Sequence, residues 1–222
     1  MLISYTNNFI FFHVAKVAGL SIREALAPYV QLPKRFKVNR PLKMIDGKLN
    51  PLYAIWENTL LHATPRDTKR ELVDETYNNF YKFAFVRNPW DWQVSMYHFI
   101  LKESDHVQHQ TVSSMCGFEE YLEWVLATPR PYARGATKFQ KDMLTDDKGN
   151  LIVDFVGRFE NLVHDFAEIC QKLSITASLP KINTTSHKDY RSYYNERTKK
   201  IIAEHFREDI DLFAYTFDGY LD

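Results

Sequence analysis

Apolar residues along this chain fall into short blocks of two different periods. Phe9 to Val14 is an apolar run bounded by Asn7-Asn8 and a turn, the pattern of a central strand covered on both faces. After the turn, Ile22, Ala25, Leu26 and Tyr29 recur at helical spacing, with Ser21 and Glu24 set as a capping box and Pro28 limiting the end. Tyr81 to Val86 is a second apolar run. It ends at Arg87, after which Asn88 suits an N-cap and Pro89 a first helical residue. The helix that follows carries Trp90, Val94, Tyr97 and Leu101 on one face.

The same periodicities predict further helices over Arg66 to Val73, Phe118 to Leu126, Glu160 to Leu173 and Glu196 to Phe206, and a strand over Leu151 to Val156. Residues 103–114 are polar and read as a loop, and the aromatic end (Phe213, Tyr215, Phe217, Tyr220) is expected to pack onto the body. Strands separated by helices predict an α/β domain, 1–222, with a central parallel sheet flanked by helices. In such sheets ligands bind at the carboxyl ends of the strands. The turns after Val14 and Val86 both lie there.

Composition narrows the partner. Lys+Arg and Asp+Glu are equal at 28 each, so no global field draws in nucleic acid and any anion site must be built locally. One basic stretch, residues 31–57, carries Lys34, Arg35, Lys37, Arg40, Lys43 and Lys48 among prolines. It reads as a solvated loop or as a basic rim for an acidic or sugar substrate. Two cysteines, Cys116 and Cys170, fit reduced thiols of a cytoplasmic protein. Phe9 to Val14 is too short for a membrane span or a secretory segment. The pair His106 and His109 lacks the further ligands a metal site needs, so no metal is expected.

The turn between the first strand and its helix carries the chemistry. Lys16 and Gly19 sit where backbone N–H groups and an ammonium converge on one point, which suits a phosphate or sulfate ester. A nucleotide kinase or NTPase is disfavoured. Lys16 precedes Gly19, no Gly-Lys-Ser/Thr follows, and the second strand ends in Arg87 where an NTPase places a metal-binding Asp.

FFHVAKVAGLSI and FAFVRNPWDWQVSMYHF together resemble the 5′-phosphosulfate loop and the 3′-phosphate motif of the PAPS-dependent carbohydrate sulfotransferases, of the heparan 2-O or HNK-1 type. FVGRFENLVHDF and HKDYRSYYNERTKKIIAEHFREDIDLFAYTF resemble later segments of the same family, so the likeness spans most of residues 9–218. It implies a P-loop-like three-layer fold and transfer of a sulfuryl group from PAPS to a carbohydrate hydroxyl, in line and without metal. On that resemblance Lys16 contacts the oxygen bridging phosphate and sulfate. The backbone of Ala18, Gly19, Leu20 and Ser21 cradles the 5′-phosphate. Arg87 and Ser95 hold the 3′-phosphate. Ser95 lies about 10 Å along the helix from its N-cap, so it reaches the phosphate only if the nucleotide lies along that helix. Two departures stand out: Leu20 replaces the usual Thr, and Trp92 replaces a common Arg.

The acceptor hydroxyl needs a base within hydrogen-bond reach. His62 comes first, because related sequences carry a similar H-A-T segment between the two phosphate motifs, and His13 second; Glu24, Glu57 and His187 stay open. Arg158, His187 and Arg191 are candidates for contacts to nucleotide or acceptor. The reading of a different class is a non-catalytic nucleotide- or glycan-binding module on the same fold.

Overall fold

Phe9–Phe12 forms a strand whose four side chains are all fully buried, as its unbroken apolar sequence demands. The structure, a computed structural model, describes residues 1–31, 60–72, 74–132, 136–180 and 188–221, and the backbone of 44–45 and 48–49. Most of the basic stretch 31–57, Glu57 and His187 therefore lie outside the described residues.

In chain order the elements are β1 (Leu2–Ser4), β2 (Phe9–Phe12), α1 (Gly19–Leu26), β3 (Met44–Ile45), β4 (Lys48–Leu49), α2 (Pro65–Glu71), α3 (Asp74–Asn79) and β5 (Tyr81–Val86). Then come α4 (Pro89–Lys102), α5 (His109–Ser113), α6 (Phe118–Ala127), β6 (Phe155–Arg158), α7 (Leu162–Lys172), α8 (Glu196–His205), α9 (Arg207–Leu212), β7 (Tyr215–Thr216) and β8 (Gly219–Tyr220).

The main sheet has the order β1-β2-β5-β6. β2, β5 and β6 run parallel, with Phe12 opposite Ala84 and Val86 opposite Arg158, while β1 is antiparallel to β2. The α/β class expected from the sequence is the one found, but the sheet is mixed, because Leu2–Ser4 folds back as a hairpin edge. Phe9, Phe11 and Phe83 pack ring against ring across the two central strands, with centroids 5.4–5.8 Å apart. The parallel register brings the chain after Phe12, after Val86 and after Arg158 to one edge of the sheet.

Three local predictions shift. The capping box at Ser21 and Glu24 does not form: α1 starts at Gly19, its N-cap is Ala18 in the left-handed conformation (φ 60°), and Ser21 is buried inside the first turn. The strand expected from Leu151 begins at Phe155. Asp146 gathers the N–H groups of Lys148 and Asn150, and Thr145 bridges Leu151, so 145–151 closes as a turn instead. The polar stretch 103–114 contains the short helix α5.

Other boundaries hold closely. Asn88 caps α4 by accepting from Trp90 N–H, with Pro89 in its first turn, and Phe118, Tyr121, Leu122 and Val125 are the buried face of α6. The C-terminal aromatics pack onto the body, with Phe213 and Tyr215 buried.

Candidate active site

The turn from His13 to Ala18 is the most constrained backbone at this edge. Lys16 (φ 65°) and Ala18 (φ 60°) both sit in the left-handed region, which costs a residue with a Cβ about 1–2 kcal/mol. Three contacts hold that conformation. Arg87 Nη1 donates to the Lys16 carbonyl at 3.1 Å, Trp92 Nε1 donates to the Ala15 carbonyl at 2.8 Å, and the Lys16 ammonium lies 4.0 Å from the Phe99 ring centre. Among the described residues no side chain caps α1, and its first turn holds no acidic residue. The N–H groups of Gly19, Leu20 and Ser21 thus have no intrahelical acceptor, and no carboxylate of the first turn competes for them.

Trp92, Ser95 and Phe99 stand at i, i+3 and i+7 on α4, and so share one face of it. Because Trp92 and Phe99 both touch the turn, buried Ser95 lies between them on the face toward Ala15 and Lys16. Arg87, just before α4, is buried. Its Nε donates to Asp91 at 2.7 Å and its guanidinium stacks on Phe159 at 3.9 Å. Arg87 therefore braces the Lys16 turn, a role the sequence did not reveal. Trp92, the departure from the family pattern, is a second brace.

Burial and the neighbouring Arg87 charge lower the Lys16 ammonium to about 8. It remains mostly protonated at neutral pH while being less firmly hydrated than a surface lysine.

His13 and His62 stack with ring centres 6.0 Å apart, and the Nδ1 of each is buried without a hydrogen-bond partner. His13 falls to about 3, through burial first, then the Met1 α-amino group, His62 and Arg23. His62 is lowered by the same burial and by the charges of Met1 and Arg23. Both imidazoles are therefore neutral at pH 7, each with one ring nitrogen able to accept a proton. His62 immediately precedes α2, whose start is fixed by Thr64 and Asp67 in a capping box. The Met1 α-amino group donates to the Leu60 and Leu61 carbonyls beside it.

His13 also explains Gly19. A Cβ on Gly19 would stand 2.0 Å from His13 Nε2 and 2.1 Å from its Cδ2, so the glycine serves close approach of that ring to the helix. Gly19→Ala is expected to destabilise the fold by about 1–3 kcal/mol, the range for overpacking. Adding His13→Ala should restore most of the loss. Thermal unfolding of the single and double variants checks this, and a double variant no more stable than Gly19→Ala would place the constraint elsewhere.

The remaining candidates sit on other contacts. Arg158 donates from Nη1 to the Phe213 carbonyl at 2.5 Å and lies over the Tyr215 and Tyr220 rings, fastening the C-terminal segment. Arg191 is exposed and paired with Asp189 and Asp218. Glu24 is exposed on α1, and Leu20 is half exposed at the start of the same helix. The structure thus brings together Lys16, the Ala18–Ser21 backbone, Arg87, Ser95 and His13, with His62 stacked on His13. Arg158 and Arg191 serve the C-terminal tail. Sequence reasoning missed Gln140, which binds the Arg87 backbone, and Glu160, which accepts from Asn88 N–H at 2.6 Å.

A family model described as the sulfotransferase family matches residues 1–216. An uncharacterized protein of Archaeoglobus fulgidus is 27% identical over 124 residues, which make up 52% of this chain and 86% of that protein. Among solved structures, mouse sulfotransferase SULT7A1 complexed with PAP aligns with a TM-score of 0.51 and 14% identity. That alignment covers 93% of this chain and 85% of the mouse chain, a likeness of fold.

Proposed function

The chain belongs to the sulfotransferase family, and from that premise we propose that, as one domain, it transfers a sulfuryl group from PAPS to a carbohydrate hydroxyl. One observation carries the reading. The uncapped first turn of α1, the Lys16 ammonium and the Ser95 face of α4 lie together at the carboxyl edge of the sheet. That arrangement suits an anion with two phosphate groups: N–H donors suit the 5′ side, and Arg87 with Ser95 suits the 3′ side. A PAP-bound structural neighbour of the same fold supports the choice of nucleotide.

PAPS supplies an activated sulfuryl group when bound. Lys16 neutralises charge growing on the oxygen between phosphorus and sulfur as the S–O bond to that oxygen breaks. His62 takes the acceptor hydroxyl proton as the new S–O bond forms on the opposite face of sulfur. His62 is favoured over His13 because burial weakens His13 further as a base. Lys16 and Arg87 balance the anion's charge directly, so the step runs without a metal. The free thiols of Cys116 and Cys170 suit the reducing cytoplasm. No helix among the described residues is long and apolar enough to cross a membrane.

Calorimetry with adenosine 3′,5′-bisphosphate and with ATP tests the nucleotide. The bisphosphate is expected to bind more tightly, with no requirement for Mg²⁺; tighter ATP binding that needs Mg²⁺ would point to a kinase. Transfer of labelled sulfate from PAPS to a panel of glycosides tests the reaction. Nucleotide binding with no transfer to any acceptor would leave a binding module.

A further inference from the structure

Arg87 stands one residue past the end of β5, where the ladder to β6 stops at the Val86–Arg158 pair. Its backbone N–H and C=O are satisfied by a side chain. Gln140 Oε1 accepts from Arg87 N–H at 2.9 Å, and Gln140 Nε2 donates to the Arg87 carbonyl at 2.7 Å. A carboxamide presents one donor and one acceptor side by side, as a neighbouring strand does. Gln140 is itself fixed from a distant part of the chain. The two carboxylate oxygens of Asp209, on α9, accept from Gln140 N–H and Lys141 N–H, both at 2.8 Å.

All three residues are buried: Arg87 at 6%, Gln140 at 3% and Asp209 at 1% exposure. In so dry a place these bonds gain strength and each unmade one is costly. The Lys141 ammonium turns outward to Asp142 and Glu208, so among the described residues no cation is directly paired to Asp209, which holds the two N–H groups. Burial pushes its carboxyl up to about 7. Placing a carboxyl there is expensive, and what it secures is the residue that holds the Arg87 backbone.

We infer that Gln140 and Asp209 are positioning residues of the nucleotide site, acting through Arg87. Gln140 sets the backbone from which the Arg87 guanidinium reaches both the Lys16 carbonyl and the nucleotide's 3′-phosphate, and Asp209 sets Gln140. The inference rests on the assignment of Arg87 to the 3′-phosphate.

The test compares affinity for adenosine 3′,5′-bisphosphate with affinity for AMP, which lacks the 3′-phosphate, in four proteins: wild type, Gln140→Met, Asp209→Asn and Arg87→Lys. Gln140→Met removes both bonds at similar side-chain length. Asp209→Asn keeps one acceptor and is the milder change, which carries the measurement if Gln140→Met does not fold. The expected result is a loss of about tenfold in bisphosphate affinity, with AMP affinity within about twofold, for whichever relay variants fold and for Arg87→Lys. A ratio that changes in Arg87→Lys but not in the relay variants overturns the relay alone. Parallel losses for both nucleotides in the relay variants make Gln140 and Asp209 purely structural. A ratio unchanged in every variant overturns the 3′-phosphate assignment and the relay with it.

Discussion

Lys16→Ala should reduce kcat by about 10²–10³-fold, the scale for losing one preorganised stabiliser of transition-state charge. The substitution is clean. Position 16 has a φ of 65°, which alanine tolerates no worse than lysine. The Arg87 and Trp92 bonds to the turn engage the backbone carbonyls of residues 16 and 15, which the change leaves in place. What disappears is the ammonium and its stacking on Phe99. Folding should change little while chemistry falls steeply, and steady-state assays beside thermal unfolding separate the two. Unchanged turnover would remove Lys16 from the reaction.

The pH profile gives the same prediction a second reading. Burial, then Arg87, depresses the Lys16 pKa from 10.5 to about 8 in the free protein. The group is charged below that value and loses its proton as pH rises through it. Binding of an anion favours the charged form, so kcat/KM, which reports groups of the free enzyme, should fall above about pH 8. Nucleotide binding above that pH should take up protons. Both effects should be absent from Lys16→Ala.

Much of this site was legible because short-range rules govern it. The Phe9 run had to be a buried strand, Asn88-Pro89 had to open a helix, and the register of two parallel strands had to bring Lys16 and Arg87 to one edge. What escaped was set by contacts between distant parts of the chain. Nothing local marks Ala18 as the N-cap of α1; the left-handed turn before it is held by Arg87 and Trp92, whose bonds to the Lys16 and Ala15 carbonyls span 71 and 77 residues. Trp92 looked like a missing cation and proves to be a brace. Gln140 lies in a stretch with no motif, and its grip on Arg87 spans 53 residues. Arg158 sat in a segment resembling the family, yet its guanidinium fastens the C-terminal segment. Residue type located the ammonium, whereas the supporting shell depended on the folded chain.

Arg87→Ala should have two separable costs. Nucleotide affinity is expected to fall by roughly 2–5 kcal/mol, the range for truncating one partner of a desolvated charge contact. Stability is expected to fall by about 3–5 kcal/mol, because Asp91 loses the guanidinium paired with it at 2.7 Å and is left buried and charged. The second loss is a large share of a typical domain's total of about 5–15 kcal/mol, so the single variant alone would confuse unfolding with weak binding. Arg87→Ala combined with Asp91→Ala removes both charges and should recover most of the stability. It should recover none of the affinity, since neither alanine can meet a phosphate. Thermal unfolding of both variants, with calorimetry at a temperature where each is folded, distinguishes the terms. If the double variant regained wild-type affinity for adenosine 3′,5′-bisphosphate, neither a phosphate contact from Arg87 nor its bond to the Lys16 carbonyl would contribute to binding. Bisphosphate affinity that stays low in a stable double variant while AMP affinity is kept assigns the guanidinium to the 3′-phosphate, since a lost brace at the Lys16 turn would weaken both nucleotides.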